Sequence, residues 1–493
     1  MDGKKLNKLE KISVVGGGTA GLVAALILKT RFPSKKINLI RSEKIGIIGV
    51  GEGSTEHWNE FMNYIGLTWR DIINNCDATL KSGIMFKGWH DKDYLHSIGP
   101  EHEILNGQYR MYYGKVIAHN KSNKELNPIF TWENKVDSWH LEEGNSSPYN
   151  QYHFNTQKLN DYLSFVAQSR GIDFIDDEVN DIILNEHGDI DYLIGEKQNH
   201  KADFFIDCTG FKKLLISKLG AKWNSYSQFL KMKSAIVFPI QDSQEINLWT
   251  TAQAMDYGWM FKIPVWDRSG NGYIFDSDYI NADQAKDEVE KFLGHEINVA
   301  KHINFDPGAL DRVWIKNCCA VGLSASFVEP LEATSIGTSI NQTFLLMHKL
   351  PNYTQKSIDT YNRMVETILL NIRDFVLLHY VTNKEHTNFW KDVKNTKLPD
   401  DLKENIQHWK HNLPILEDFI ETGSYALFKD PHFIQVLAGL EIFDRNSLLK
   451  EYDQFGPVVK KLADKAESER QVMLLNKKPI GHKEFISRLR TEK

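Results

Sequence analysis

Short apolar runs bounded by glycine and polar residues set the rhythm of this chain. Lys11–Val15 and Lys36–Ile40 are two such runs, with a longer apolar stretch from Leu22 to Leu28 between them. That alternation predicts strand, helix, strand, the beginning of a parallel βαβ unit. Two further apolar runs, ending at Asp207 and at Val321, read as additional strands. Tyr361, Val365, Ile368, Leu369, Ile372, Phe375 and Val376 recur at helical spacing, which predicts one amphipathic helix over residues 355–380. Residues 90–150 are loop-rich and aromatic, with Tyr94, Tyr109, Tyr112, Tyr113, Phe130, Trp132 and Trp139. The remainder to Lys493 reads as largely helical and charged, and no internal repeat or low-complexity linker interrupts the chain.

The first strand runs straight into Gly16, Gly18 and Gly21, a G-x-G-x-x-G that opens the first helix. In that context Gly16 permits the tight turn, Gly18 lets the amides around Thr19 and Ala20 approach a pyrophosphate, and Gly21 lets helix and strand pack closely. The second strand ends in Arg41 with Glu43 two places on, not in the acid that grips an NAD ribose. Taken alone, these glycines also suit a packing turn. Two remote segments change the balance. Asp207, Cys208, Thr209 and Gly210 end a strand where chain can pass the adenine half of a long ligand. Gly322, Leu323, Ser324, Ala325 and Ser326 remove side-chain bulk after another strand. Pro330 then opens a segment carrying Glu332, Thr334, Ser335 and Ile336, where a carboxylate stands beside amides able to hold an anion. One ligand is long enough to touch all three segments: FAD. The fold expected is α/β, an FAD-binding Rossmann-like module with mixed sheets over residues 8–350, followed by a mainly helical substrate-binding region over 351–493. Residues 90–150 are candidates for part of the pocket wall.

Composition narrows the function classes. The 493 residues suffice for one large core or two ordinary ones, and 41% hydrophobic with 25% charged residues fits a globular enzyme. A net charge of -6 offers no basic surface for nucleic acid, and no apolar run reaches the roughly 18 residues of a membrane helix. The 4 cysteines form no C-x-x-C pair, so a metal centre is not expected. Sparse cysteine without a secretory leader predicts the cytoplasm. The 18 histidines show no metal-binding cluster, and most are assigned to surface or packing.

From about residue 10 to 390 the chain resembles the flavin-dependent halogenases of the tryptophan-halogenase type. Residues 48–55 resemble the family's G-V-G-E-A-T loop, which makes Gly51 a cofactor candidate and Glu52 a weaker catalytic one. Asp77–Lys81 followed by Phe86–Trp89 is similar to the segment that bears the catalytic lysine. Tyr152–Thr156 stands where the family has Y-H-F-D-A, and Phe327–Ile336 resembles F-V-E-P-L-E-S-T-S/G-I. The departure is Gly258–Pro264, where Phe261 replaces the second Trp of W-x-W-x-I-P. The resemblance implies that FADH2 and oxygen oxidise a halide, held by Thr334 and Ser335, to hypohalous acid. Lys81 would deliver the halogen to an electron-rich aromatic ring and Glu332 would take the ring proton or orient the oxidant. It further implies a small aromatic substrate and a separate flavin reductase, since no NADH site is evident; a homo-oligomer is left open. An FAD monooxygenase, favoured by Phe261, and a non-catalytic flavin-binding protein are the alternatives. Beyond Trp390 no pattern for gripping an amino acid's charged groups is evident, so an open, aromatic-lined pocket is expected, with Trp409, Phe419, Tyr425 and Phe428 as lining candidates. Bromide or iodide is expected to serve at least as well as chloride.

Overall fold

The computed structural model describes residues 9–46, 52–97, 109–121, 123–241, 246–419, 426–475 and 477–491. Its centre is a six-stranded sheet in the order Trp314–Ile315, Cys318–Ala320, Phe204–Asp207, Lys11–Val15, Lys36–Arg41 and Asp173–Asp176. All neighbours are parallel except the Trp314–Ile315 edge. The predicted strands, which end in the structure at Val15, Arg41, Asp207 and Ala320, therefore lie side by side, with their C-terminal ends along one edge of the sheet. In an open α/β sheet that edge is where ligands bind. The first helix, Thr19–Arg31, is buried along nearly its whole length from Gly21 to Leu28, which explains why its sequence is a continuous apolar run and not an amphipathic one.

A seven-stranded sheet runs Lys301–Asn304, Ser234–Ile240, Ser269–Phe275, Gly258–Pro264, Trp249–Met255, Gly83–Lys87 and Tyr94–His96. It is antiparallel apart from the pairing of Trp249–Met255 with Gly83–Lys87. A small antiparallel sheet is separate from these two: Glu52–Gly53 and Thr79–Lys81 flank Gln151–Phe154. Three sequence motifs thus meet as three short strands. The helix predicted over 355–380 spans Gln355–Leu378 and is capped by Thr354. One hydrophobic core runs from Ile12 to Leu489 and includes Tyr361, Ile368, Phe375, Trp409 and Phe433. Among the described residues no helix is long and apolar enough to cross a membrane.

Candidate active site

The sheet edge forms a cradle from backbone. Gly16 has φ 120°, and a Cβ there would collide with the carbonyl oxygen of Cys208. A Cβ on Gly21 would strike the carbonyl oxygen of Gly16, so helix and turn close only with glycine at both places. Gly18 differs: a Cβ there would meet nothing within 4 Å. It sits at the N-cap of a helix with no side-chain cap and no acid in its first turn, so no side chain of its own caps the first amides of that helix. That suits the pyrophosphate of a dinucleotide.

The other strand ends complete this edge. Ser324 Oγ donates to the Gly210 carbonyl at 3.2 Å, tying the mid-chain turn to the late one. Gly322 has φ 71°, and a Cβ on it would lie 2.7 Å from the Ala20 Cβ, so the late turn presses on the first helix. Leu323 follows half-buried in the same turn, and Ile336 is buried in the helix Thr334–Lys349. Arg41 lies at the end of the second strand, its Cβ against Gly17, with its guanidinium 5.0 Å from the centre of the Phe174 ring. Gly51 lies outside the described residues. Beyond the turn, a small cleft is lined by Tyr226, Gly322, Ser326, Thr334, Ser335 and Thr338.

Lys81 is held by the small sheet. Thr79 anchors its strand by donating from Oγ1 to the Pro264 carbonyl at 2.7 Å. Lys81 pairs with Gln151 and is 2% exposed, and its Nζ donates to the Ser54 carbonyl at 2.6 Å. Burial lowers its pKa to about 8, against the opposing pull of Glu332 and Glu56. Gly53 brings the next segment close: a Cβ there would lie in ordinary contact, 3.5 Å from the Ala333 Cβ and 3.6 Å from Lys81 Nζ.

Glu332 precedes Ala333, whose φ of 54° reverses the chain before the helix Thr334–Lys349. This single turn sends Glu332 toward Lys81 and places Thr334 and Ser335 on the cleft. The helix begins without a side-chain cap or an acid in its first turn, so its amides are disposed toward an anion. Glu332 is 3% exposed. Both its oxygens lie within 3.0 Å of His96 Nδ1, and Oε1 lies 2.9 Å from His379 Nε2. Burial raises the Glu332 pKa, but His96 and His379 outweigh it and hold the carboxyl well below its usual range. Glu332 is therefore a carboxylate at neutral pH.

The histidines escaped the sequence reading. His96 ends a strand, His379 ends the long helix, and His432 stands on the helix Asp430–Gly439, so no local spacing links them. Phe375 and Phe428 stack at 4.0 Å between ring centres and both face His96. Phe428 thus borders the site, whereas Trp409 and Phe419 pack on Phe433 in the core, and Tyr425 lies outside the described residues. Glu52 has a buried Oε2 with no hydrogen-bond partner among the described residues, and burial raises its pKa to about 7 despite the Thr19 hydroxyl. Glu329 is similar: burial lifts it to about 7 although Tyr380 and Trp259 donate to it at 2.8 and 3.2 Å. Phe261 is buried with its ring over Gly272, which has no room for a Cβ, and lies 6.1 Å from the Trp259 ring.

Residues 11–453 match the tryptophan halogenase family. The chain is 32% identical over 448 residues to the 7-chloro-L-tryptophan 6-halogenase KtzR of Kutzneria sp. (strain 744), covering 82% of this chain and 86% of that one. It is 28% identical to the tryptophan 7-halogenase RebH of Lentzea aerocolonigenes, covering 83% of each. Among solved structures, a tryptophan halogenase from Shewanella frigidimarina NCIMB 400 superposes with a TM-score of 0.87 at 25% identity over 99% of both chains. A flavin-dependent halogenase from Xanthomonas campestris gives 0.84 at 26% identity over 98% of both. The chain belongs to the tryptophan halogenase family of flavin-dependent enzymes.

Proposed function

We propose that this protein is an FADH2- and O2-dependent halogenase that oxidises a halide to hypohalous acid and places the halogen on an electron-rich aromatic ring. The observation that carries the reading is the turn at Ala333. It puts Glu332 beside a buried lysine on one side and aims Thr334 and Ser335 at the cleft next to the glycine cradle on the other. FAD fits the cradle: Gly16, Gly18, Thr19, Ala20 and Gly21 would hold the pyrophosphate, with Arg41, Gly210, Gly322, Leu323 and Ile336 along its length. When bound and reduced, it supplies the oxygen chemistry that oxidises the halide. Thr334, Ser335 and the free amides of their helix would hold that halide.

Lys81 then serves as the delivery group. With its pKa lowered to about 8, a useful fraction of the amine is neutral near physiological pH. A neutral amine can hydrogen-bond hypohalous acid, or exchange N–H for N–halogen with release of water. The ring carbon takes the halogen and the Glu332 carboxylate takes the displaced ring proton, which then passes on to the Lys81 nitrogen to regenerate the amine or, where hypohalous acid is the donor, to the departing hydroxide to form water. Glu332 is suited to that role because His96 and His379 keep it ionised. The relatives act, by their names, on tryptophan or a chlorinated tryptophan. For this chain we propose a broader set of electron-rich rings, with a separate reductase supplying FADH2.

A monooxygenase draws its support from Phe261 in the wall strand. Its burial over Gly272 keeps an aromatic ring in that wall. Purified enzyme, FADH2, oxygen and an aromatic panel, with and without bromide, separate these readings by mass spectrometry. A halide-dependent mass shift supports the halogenase, a halide-independent gain of oxygen supports the monooxygenase, and no product supports neither.

A further inference from the structure

Glu52 and Gly53 form a two-residue strand, and successive positions of a strand face opposite ways. Gly53 lies toward Lys81 and Ala333, whereas the Glu52 carboxyl meets the Thr19 hydroxyl at the opening of the first helix. Glu52 keeps part of its surface exposed, but its Oε2 is closed off from solvent and finds no hydrogen-bond partner among the described residues. Thr19 gives the carboxyl only one hydrogen bond, because a hydroxyl has a single proton. Asn160 behind it adds no other: its Nδ2 already donates to Thr19 Oγ1 at 3.1 Å and to the Thr156 carbonyl at 2.8 Å. A carboxylate in this place is short of donors, while a neutral carboxyl is tolerated, and burial accordingly lifts Glu52 to about 7. Thr19 is also the first residue of the uncapped helix that the flavin pyrophosphate would meet. Carboxyl and phosphates would thus share one turn of chain, and two anions held so close repel.

We propose that Glu52 links flavin binding to a proton: a neutral carboxyl accepts the dinucleotide in the cradle, and an ionised Glu52 opposes it. The inference rests on the FAD reading above. In the flavin-free protein the carboxyl loses its proton as pH rises past about 7. The phosphates raise that value further, so near pH 8 binding moves one proton from solvent onto a Glu52 oxygen, and release of the flavin returns it. Flavin affinity is then constant well below pH 7 and falls as pH climbs above it, roughly tenfold between pH 7 and 8.5.

The other titratable and charged groups around the strand have their own partners. Cys208, against Gly16, is held as a thiol by burial, and buried His153, opposite Gly53, is held neutral. Lys158 pairs with Asp77, Glu56 faces His57 and His432, and Asp161 accepts from Gln157. Lys81, on the Gly53 side of the strand, donates to the Ser54 carbonyl, and Arg41 lies beside Gly17 and Phe174. No charge among the described residues acts on Glu52; only burial and Thr19 bear on it.

Calorimetric titration of the flavin-free protein with oxidised FAD at pH 8, in two buffers of different ionisation enthalpy, counts the protons taken up per flavin. The wild type should take up about one and Glu52→Gln none. In fluorescence titrations Glu52→Gln should bind FAD with nearly constant affinity from pH 6 to 8.5. Thr19→Val, which removes the hydrogen bond favouring the carboxylate, should move the fall in affinity to higher pH, and this variant decides the matter if Glu52→Gln does not fold. Proton uptake by Glu52→Gln equal to that of the wild type would overturn the proposal, as would an unmoved fall in Thr19→Val. Wild-type binding without proton uptake would remove the linkage and leave the FAD reading standing. Loss of affinity by Glu52→Gln at every pH would also overturn it, making Glu52 a plain ligand of the cofactor. If the wild type binds no FAD at any pH, the FAD reading fails and the linkage with it.

Discussion

Replacing Lys81 with Met should make the protein more stable at neutral pH. Burial is the largest influence on the Lys81 ammonium and lowers its pKa from 10.5 to about 8, with Glu332 and Glu56 pulling the other way. At about 1.4 kcal/mol per unit, this depression is a cost of about 3 kcal/mol on the charged form, with the carboxylates' help already included. The side chain is almost fully buried, so solvent does little to screen it. Met has similar length and no charge, but it leaves the Ser54 carbonyl without its donor, a loss of about 1 kcal/mol. The net gain expected near pH 7 is about 2 kcal/mol. The folded pKa lies below the unfolded one, so the wild-type penalty is full below about 8 and disappears as pH rises toward 10.5. The gain should therefore fade and vanish by about pH 10. Denaturant unfolding of flavin-free wild type and Lys81→Met at both pH values measures it. A variant that is less stable near pH 7, or a difference that ignores pH, would refute the claim that Lys81 is a strained buried cation.

Other outcomes follow from the same geometry. Glu332→Gln keeps size and much of the hydrogen bonding to His96 but removes the base, so halogenation per folded enzyme should fall on the order of 100-fold while flavin affinity holds. A change in melting temperature alone would make Glu332 structural. Gly16→Ala forces a Cβ into the Cys208 carbonyl at a φ of 120°, and should cost about 2 kcal/mol or more and weaken flavin binding in a fluorescence titration. Unchanged affinity and stability would mean that the turn can rearrange. Competition between substrates should show several electron-rich rings accepted, with bromide or iodide used at least as readily as chloride. Tryptophan chlorinated at one ring position far more efficiently than indoles or phenols would contradict that breadth.

Those parts of the site that depend on local stereochemistry were readable from the sequence. Gly16, Gly18 and Gly21 appear in the chain as a spacing, and each meets a steric demand that the spacing implies: two have no room for a Cβ and one faces open space. The helix Gln355–Leu378 followed from periodicity for the same reason. Lys81 was visible only as a motif, because its burial comes from a sheet whose strands begin at Glu52, Thr79 and Gln151. His96 and His432 were invisible: their contact joins positions separated by 336 residues, which no window can capture. The Arg41–Phe174 contact was likewise hidden, since its two residues lie on different strands. The order of the seven-stranded sheet was likewise beyond reach, since Trp249–Met255 pairs in parallel with the distant Gly83–Lys87.

The most direct test of the central claim is the yield of halogenated arene per flavin oxidised by Lys81→Ala. The protein is loaded with FAD, reduced, and exposed to oxygen and bromide with an aromatic substrate the wild type accepts. Lys81 lies across the Ala333 turn from the cleft, so flavin binding and oxygen-dependent flavin oxidation should stay at wild-type levels while halogenated product disappears. Near-wild-type product yield from Lys81→Ala would remove the lysine from the mechanism and contradict the account.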